Sequence, residues 1–319
     1  MNFGELKRLT RAAAQDTSTY SNLWSDEEIE SFLNEAQVEA CRNSKLLYTT
    51  SPTVGETRAR CEITVFGMSG TISSILADNI NIITNPVAYT SNDNTTAALL
   101  SNEINNTGLF EATVVGNIIT LIAPEGSGSS YNNVTPIIVS TNSFTTVTSL
   151  NGGVDGICVI HYKPNKKEYK FSSKLLKIEA AYRGDEQKRL YFRDFRDLND
   201  SDKMLCNQKG DVEVVLYGMS LDSVYLGKVP AKKGYVSLSA YHLPLRTMKA
   251  NSDIPEIKEE YHSKLIHYAL YKMYQKNDIE GGQLEISEFH YNKFKEEFSD
   301  NQFAAASNKT TNLLFFFGG

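Results

Sequence analysis

The chain has 319 residues, 41% of them hydrophobic and 10% aromatic, enough for two domains with separate cores. Its net charge of −6 and pI near 5.5 argue against a general nucleic-acid binder, and no apolar run is long enough to cross a membrane. The amino terminus MNFGELKRLT shows no apolar signal region and predicts synthesis inside the cell. The four scattered cysteines (Cys41, Cys61, Cys158, Cys206) form no C-x-x-C and predict free thiols rather than a disulfide framework or a zinc ribbon.

Residues 1–60 read as helical. Phe3 to Ala14 fits a short helix. Ser25 with Glu28 has the capping-box pattern and opens a helix predicted to run to about Leu47, with Ile29, Phe32, Leu33, Ala36 and Ala40 on one stripe. Trp24, immediately before the cap, is placed to staple the helix start.

Charge then exposes an insertion. No Lys or Arg lies between Arg60 and Lys163, whereas Glu62, Asp78, Asp93, Glu103, Glu111, Glu125 and Asp155 fall between Cys61 and Gly156. That segment is therefore −7 and the remainder +1, for the chain's −6. The pattern inside it is mainly β. A strand opens at Glu62–Phe66, and Phe110–Val115, Gly116-Asn117 and Ile118–Ala123 read as a hairpin. Further strands are predicted at Val134–Thr141 and Phe144–Leu150, and a short helix over Thr95–Asn105, where Ala97, Leu100 and Ile104 share a face. The acids lack EF-hand spacing and read as a solvated face. In order, Gly70-x-Ile-Ser-Ser-Ile75, a Thr-Ala-rich helix, Gly126-Ser-Gly-Ser129 and Asn151-Gly-Gly-Val-Asp-Gly156 resemble a β-rich domain that recurs as an insertion in phage virion proteins.

From Ile157 to Leu245 strands return, at Ile157–Tyr162, Glu168–Phe171, Leu175–Tyr182 and Leu190–Phe195. Val212, Val214 and Leu216 alternate with acids, and Val236, Leu238 and Ala240 alternate with serines, which predicts half-buried antiparallel strands. Lys163, Lys166, Lys167 and Lys170, with Tyr162 and Tyr169, form the one basic-aromatic cluster. It is a candidate DNA or subunit contact; the plainer reading, a strand edge guarded by lysines, is favoured.

Residues 254–298 read as two amphipathic helices. Pro255 behind Asp253 fits a capped start. Tyr261, Leu265 and Tyr268, with Ala269 and Met273 beside them, form the first stripe, and Ile286, Phe289, Phe294 and Phe298 the second, after Gly281-Gly282. Ile254-Pro-Glu-Ile257, Tyr261-His262, Tyr268-Ala-Leu-Tyr271 and Tyr291-Asn-x-Phe-x-x-Glu-Phe298 resemble the C-terminal part of bacteriophage head-to-tail adaptor proteins. Asp197-Leu-Asn199 and Val224-Tyr-Leu-Gly-x-Val-Pro230 extend that resemblance into the strands. The final Leu313, Leu314, Phe315, Phe316 and Phe317 follow a polar stretch; such a cluster costs solubility unless buried, and reads as an arm that docks on the portal or on a neighbouring subunit.

The expected fold class is α+β, with a discontinuous adaptor domain (1–60 and 157–298), an inserted β-rich module (61–156) and a C-terminal docking arm (299–319). No P-loop, G-x-G-x-x-G, G-x-S-x-G or H-E-x-x-H occurs, and His161, His242, His262, His267 and His290 carry no marked acidic partner. The expectation is a protein that is not an enzyme and uses no cofactor or metal. The adaptor resemblance implies a homo-oligomeric ring, usually of twelve subunits, at the head-tail junction of a virion assembled in the host cytoplasm. Its partners would be the portal and the next tail component, and DNA would pass through without sequence-specific binding. Two alternatives stay open: a distal-tail or adhesin-like carbohydrate-binding virion protein, and a virion-associated cell-wall hydrolase with paired carboxylates.

Overall fold

A computed structural model describes residues 1–16, 23–67, 69–184, 188–198, 207–218, 223–275, 283–299 and 314–315. Helix α1 (Phe3–Ala13) begins at a capping box. The Asn2 side chain accepts from Glu5 N at 2.8 Å, and the Glu5 carboxylate accepts from Asn2 N at 3.0 Å. The next two amides, of Phe3 and Gly4, donate to Asp253 O and Asn251 O, fixing the helix start to a distant loop. Helix α2 (Asp26–Ser44) starts at the Ser25–Glu28 box. It stops short of Leu47 because Lys45 turns left-handed, with φ 50°, and Leu47–Thr49 leaves as strand β1. Trp24 is buried, and its indole N–H donates to Met273 O at 3.1 Å.

The insertion runs through β2 (Arg60–Val65), β3 (Thr71–Ala77), β4 (Ile80–Asn81), β5 (Val87–Ala88), α3 (Asp93–Thr107), β6 (Glu111–Val115), β7 (Ile118–Ile122), β8 (Ile137–Ser140) and β9 (Thr145–Val147). One antiparallel sheet has the order β6-β7-β2-β9; in the other, β3 pairs with β8 and with both β4 and β5. The hairpin turns at Gly116-Asn117, with Val115 opposite Ile118. β8 and β9 are shorter than the apolar runs that predict them. Both sheets and α3 enclose one core drawn only from residues between Ala59 and Leu150.

The glycine motifs sit where the module joins the body. Thr57 bridges Val154, and Arg60 bridges Asn151, so the incoming and outgoing segments run side by side. The Asp155 carboxylate accepts from Ser129 N at 2.7 Å and Oγ at 3.0 Å, and Asn132 exchanges two hydrogen bonds with Gly153. Glu56 accepts from the amides of Gly126 and Gly128. A Cβ on Gly153 would lie 2.2 Å from Gly128 O, so close backbone approach dictates glycine there.

The body resumes with β10 (Val159–Tyr162), β11 (Glu168–Lys170), β12 (Leu175–Arg183), β13 (Lys188–Arg189), β14 (Tyr191–Asp194), β15 (Lys209–Gly210), β16 (Val214–Tyr217), β17 (Ser223–Leu226), β18 (Val229–Pro230) and β19 (Gly234–His242). β19 is the spine of the larger sheet, with β1 and β10 on one edge and β12 on the other. A second sheet, β11-β17-β16-β14, contributes to the same core, and β15 and β18 form a short parallel pair. The alternation expected here is only partly realised. Ser237 and Ser239 are buried like Val236, Leu238 and Ala240, because small side chains on a central strand are covered by longer neighbours; Val159 and Tyr182 flank Ser237 in register. On β16 both Val215 and Leu216 are buried, since Leu216 has a small cluster of its own with Leu198, Phe195, Val214 and Tyr225.

The chain closes with α4 (Leu265–Tyr274), α5 (Gln283–Glu297) and the short strand β20 (Leu314–Phe315). The capped start expected at Asp253-Pro255 is not a helix start. The Asp253 carboxylate accepts from Lys249 N and Ala250 N, and Glu256 from Leu245 N and Arg246 N, so these acids close loops. A 3-10 turn over Glu259–Lys264 then leads into α4. The helices share one core in which Phe3, Leu6, Trp24, Ile29 and Leu33 meet Leu265, Ala269, Met273, Phe294 and Phe298. The second expected stripe is corrected. Phe294 and Phe298 are buried, but Ile286 and Phe289 are 43% and 55% exposed, and the inward face carries Ser287, whose hydroxyl caps Tyr271 O at 3.0 Å. The fold class is α+β.

Two substitutions test this packing. Phe294→Ala should cost about 3–5 kcal/mol and Phe289→Ala less than about 0.5 kcal/mol, read as urea unfolding free energies. Equal losses would restore the original stripe. Gly153→Ala should cost roughly 1–3 kcal/mol, seen as a lowered Tm, and a neutral result would remove the close-approach constraint.

Candidate interaction surfaces

The lysine cluster is held by one buried ring. The Tyr169 hydroxyl accepts from Lys163 N at 2.9 Å and faces the carbonyls of Lys163 and Lys166, while the Lys166 ammonium lies 5.1 Å from the Tyr169 ring centre. Lys163, Lys166 and Lys170 are exposed; Lys167 is half-buried and reaches Asn207. β11, which carries Lys170, is the outer strand of its sheet, the position that lysines commonly guard.

The tail returns to the body. Leu314 and Phe315 pair antiparallel with β12, Ile178 opposite Leu314 and Lys177 opposite Phe315. Leu313, Phe316 and Phe317 lie outside the described residues, as do Gly281-Gly282 and Cys206. The other three cysteines are buried, and burial pushes each thiol up to about 12, so none is a ready nucleophile.

Exposed apolar side chains are scattered over the described residues, Leu23, Tyr191 and Ile254 among them, and two groups stand together. Leu284, Ile286 and Phe289 stand out from the first turns of α5. On the module, Val115 and Ile118 mark the hairpin tip, and Ile137 and Val139 face outward from β8. Among the described residues no group of three or more His, Cys, Asp or Glu could hold a metal ion, and no helix is long and apolar enough to cross a membrane.

The histidines divide. His262 is a core residue: Nε2 is 2.8 Å from Ile257 O, and Nδ1 lies beside the Met1 backbone. His267 of α4 and His290 of α5 meet with Nδ1 atoms 3.0 Å apart, a contact that needs one ring to donate and the other to accept. Tyr274 stacks on His290 at 6.0 Å and 7°, and Trp24 meets Tyr274 edge-on. Burial holds both rings below the ordinary histidine value. Glu297 opposes the shift at His267 and Lys293 adds to it; at His290 the adjacent His267 adds to it. His161, half-buried near Asp155, is lowered in the same direction. The pair was invisible in the sequence, because its members are 23 positions apart and lie on separate helices.

No model of a known protein family matches the chain, and no curated protein shows significant similarity to it.

The histidines predict a pH dependence. Folding favours the neutral forms of His161, His267 and His290, so their contribution to stability is complete above the unfolded value of about 6.5 and is lost as pH falls through the depressed folded values. The urea midpoint should drop between pH 7.5 and 5.5, before most carboxylates titrate, and His290→Gln should flatten that drop. An identical slope in the variant would show that the pair stores none of this dependence.

Proposed function

We propose that this chain is a structural virion protein of a tailed phage. Copies form a ring, of twelve subunits as the adaptor resemblance implies, that joins the portal to the next tail component and continues the DNA channel. The carrying observation is the single helical core built from both ends of the chain. The Trp24–Met273 hydrogen bond spans 249 positions, and the module's core is drawn from Ala59 to Leu150, apart from that helical core. That arrangement supports the adaptor resemblance, which covers the same two ends and leaves the module out.

The role follows from surfaces rather than chemistry. Several acids are occupied in binding backbone amides: Glu56, Asp155, Asp253 and Glu256 each accept two or more hydrogen bonds from within the chain. This favours a scaffold over a hydrolase with paired free carboxylates. An acidic chain also suits a channel, because like charge keeps phosphate from sticking. The module projects outward, clear of the DNA path. Its exposed apolar residues are mainly aliphatic, which favours a protein partner over the aromatic platforms that bind sugars.

Mixing the protein with the portal of the same phage and imaging the product by electron microscopy tests this reading. A second ring stacked on the portal, lost on deletion of Leu313 to Gly319, is the expected outcome. No association between folded partners would overturn it in favour of a distal-tail protein.

A further inference from the structure

The outer edge of β12 has one feature the ring reading does not use. Among the described residues, β13 pairs with it at Tyr182 and Arg183, the Leu190 amide extends that cover to Ala181 O, and β20 pairs with it at Lys177 and Ile178. A strand edge left open beside a two-residue strand is a template for further pairing. The segment that pairs there belongs to a run of five large apolar residues, Leu313 to Phe317. Fourteen residues separate Ser299 from Leu314, a connection able to reach roughly 50 Å when extended. That is more than the width of a small domain, so the same segment can reach the β12 of an adjoining copy.

We propose that the outer edge of β12 is a strand-acceptor site, and that in the assembled protein its occupant is the Leu313–Phe317 segment of a second copy. Main-chain hydrogen bonds supply the pairing, as in other strand-addition interfaces. Exchange of an identical element between copies creates no new kind of contact and so carries little energetic penalty. Each copy gives one strand and receives one, a head-to-tail contact that closes into a ring when its rotation allows. This inference rests on the ring reading and adds the element that links neighbouring subunits. Lys177, a nearly buried cation on the edge strand paired with Glu179 at 2.7 Å, discourages indiscriminate strands from adding there.

The test places cysteines at one register pair. Opposed residues of antiparallel strands have Cα atoms about 4.5–5.5 Å apart, within reach of a disulfide. In a Cys206→Ser background, Lys177→Cys protein is mixed with Phe315→Cys protein, with and without the portal, oxidised and run on a non-reducing gel. Rings are scored in parallel by electron microscopy. The expected result is a covalent dimer containing one copy of each variant, and a ladder of covalent oligomers from the double variant. Rings whose double variant yields only internally linked monomer would overturn the exchange and leave the ring reading intact. Internally linked monomer without rings would overturn both. If neither product forms, Ile178→Cys with Leu314→Cys repeats the test one register position along, and a second failure removes the tail from β12.

Discussion

The structure depends on the burial of the amino-terminal helices against the carboxy-terminal ones. Phe3, Leu6, Trp24, Ile29 and Leu33 have no other core to enter, and the inner faces of α4 and α5 are completed by them. Fully burying side chains of this size is worth about 1.5–3 kcal/mol each, so the helices are strongly driven together. The indole hydrogen bond to Met273 and the amides of Phe3 and Gly4 on the 251–253 loop fix the orientation. The intervening chain can be long because the entropy of closing a loop grows only logarithmically with its length.

That tolerance explains how a separate module sits in the middle of the chain. The insertion brings its own apolar core and needs from the body only a place to begin and end. The bridges at Thr57–Val154 and Arg60–Asn151 hold those two points together, and the glycines at 128 and 153 allow the backbones to touch. Two cations of the body side, Arg58 and Lys233, reach Glu111 and Asp78 of the module. These are half-exposed pairs worth little individually. Covalent continuity, glycine packing and the hydrogen bonds that Glu56 and Asp155 accept set the junction, and these ion pairs only decorate it.

What could be read in the sequence was what is encoded locally. The Ser25–Glu28 box and the Gly116-Asn117 hairpin each lie within a few neighbouring positions, and each is where the sequence places it. Misreadings arose where a distant partner claimed a residue. Asp253 looks like a helix cap, but its carboxylate closes the 249–253 loop; Phe289 looks like core, but Ser287 takes the inward position. The serines of β19 look solvent-facing, yet the strand is central. The His267–His290 contact and the β12–β20 pairing join residues far apart in sequence, and no periodicity marks them in advance.

The uneven placement of cations has a practical consequence for anyone tracing the module's neighbours. From Cys61 to Tyr162 there is no lysine or arginine. Amine-reactive cross-linkers find no anchor on it. Trypsin passes over it and leaves one very long fragment, because the next candidate bond, Lys163–Pro164, is a poor substrate. A mass-spectrometric map built on lysine chemistry would show the body richly connected and the module bare. Its contacts will be recorded only by reagents that read carboxylates, by photochemical labels, or by proteases that cut beside aromatic residues or acids.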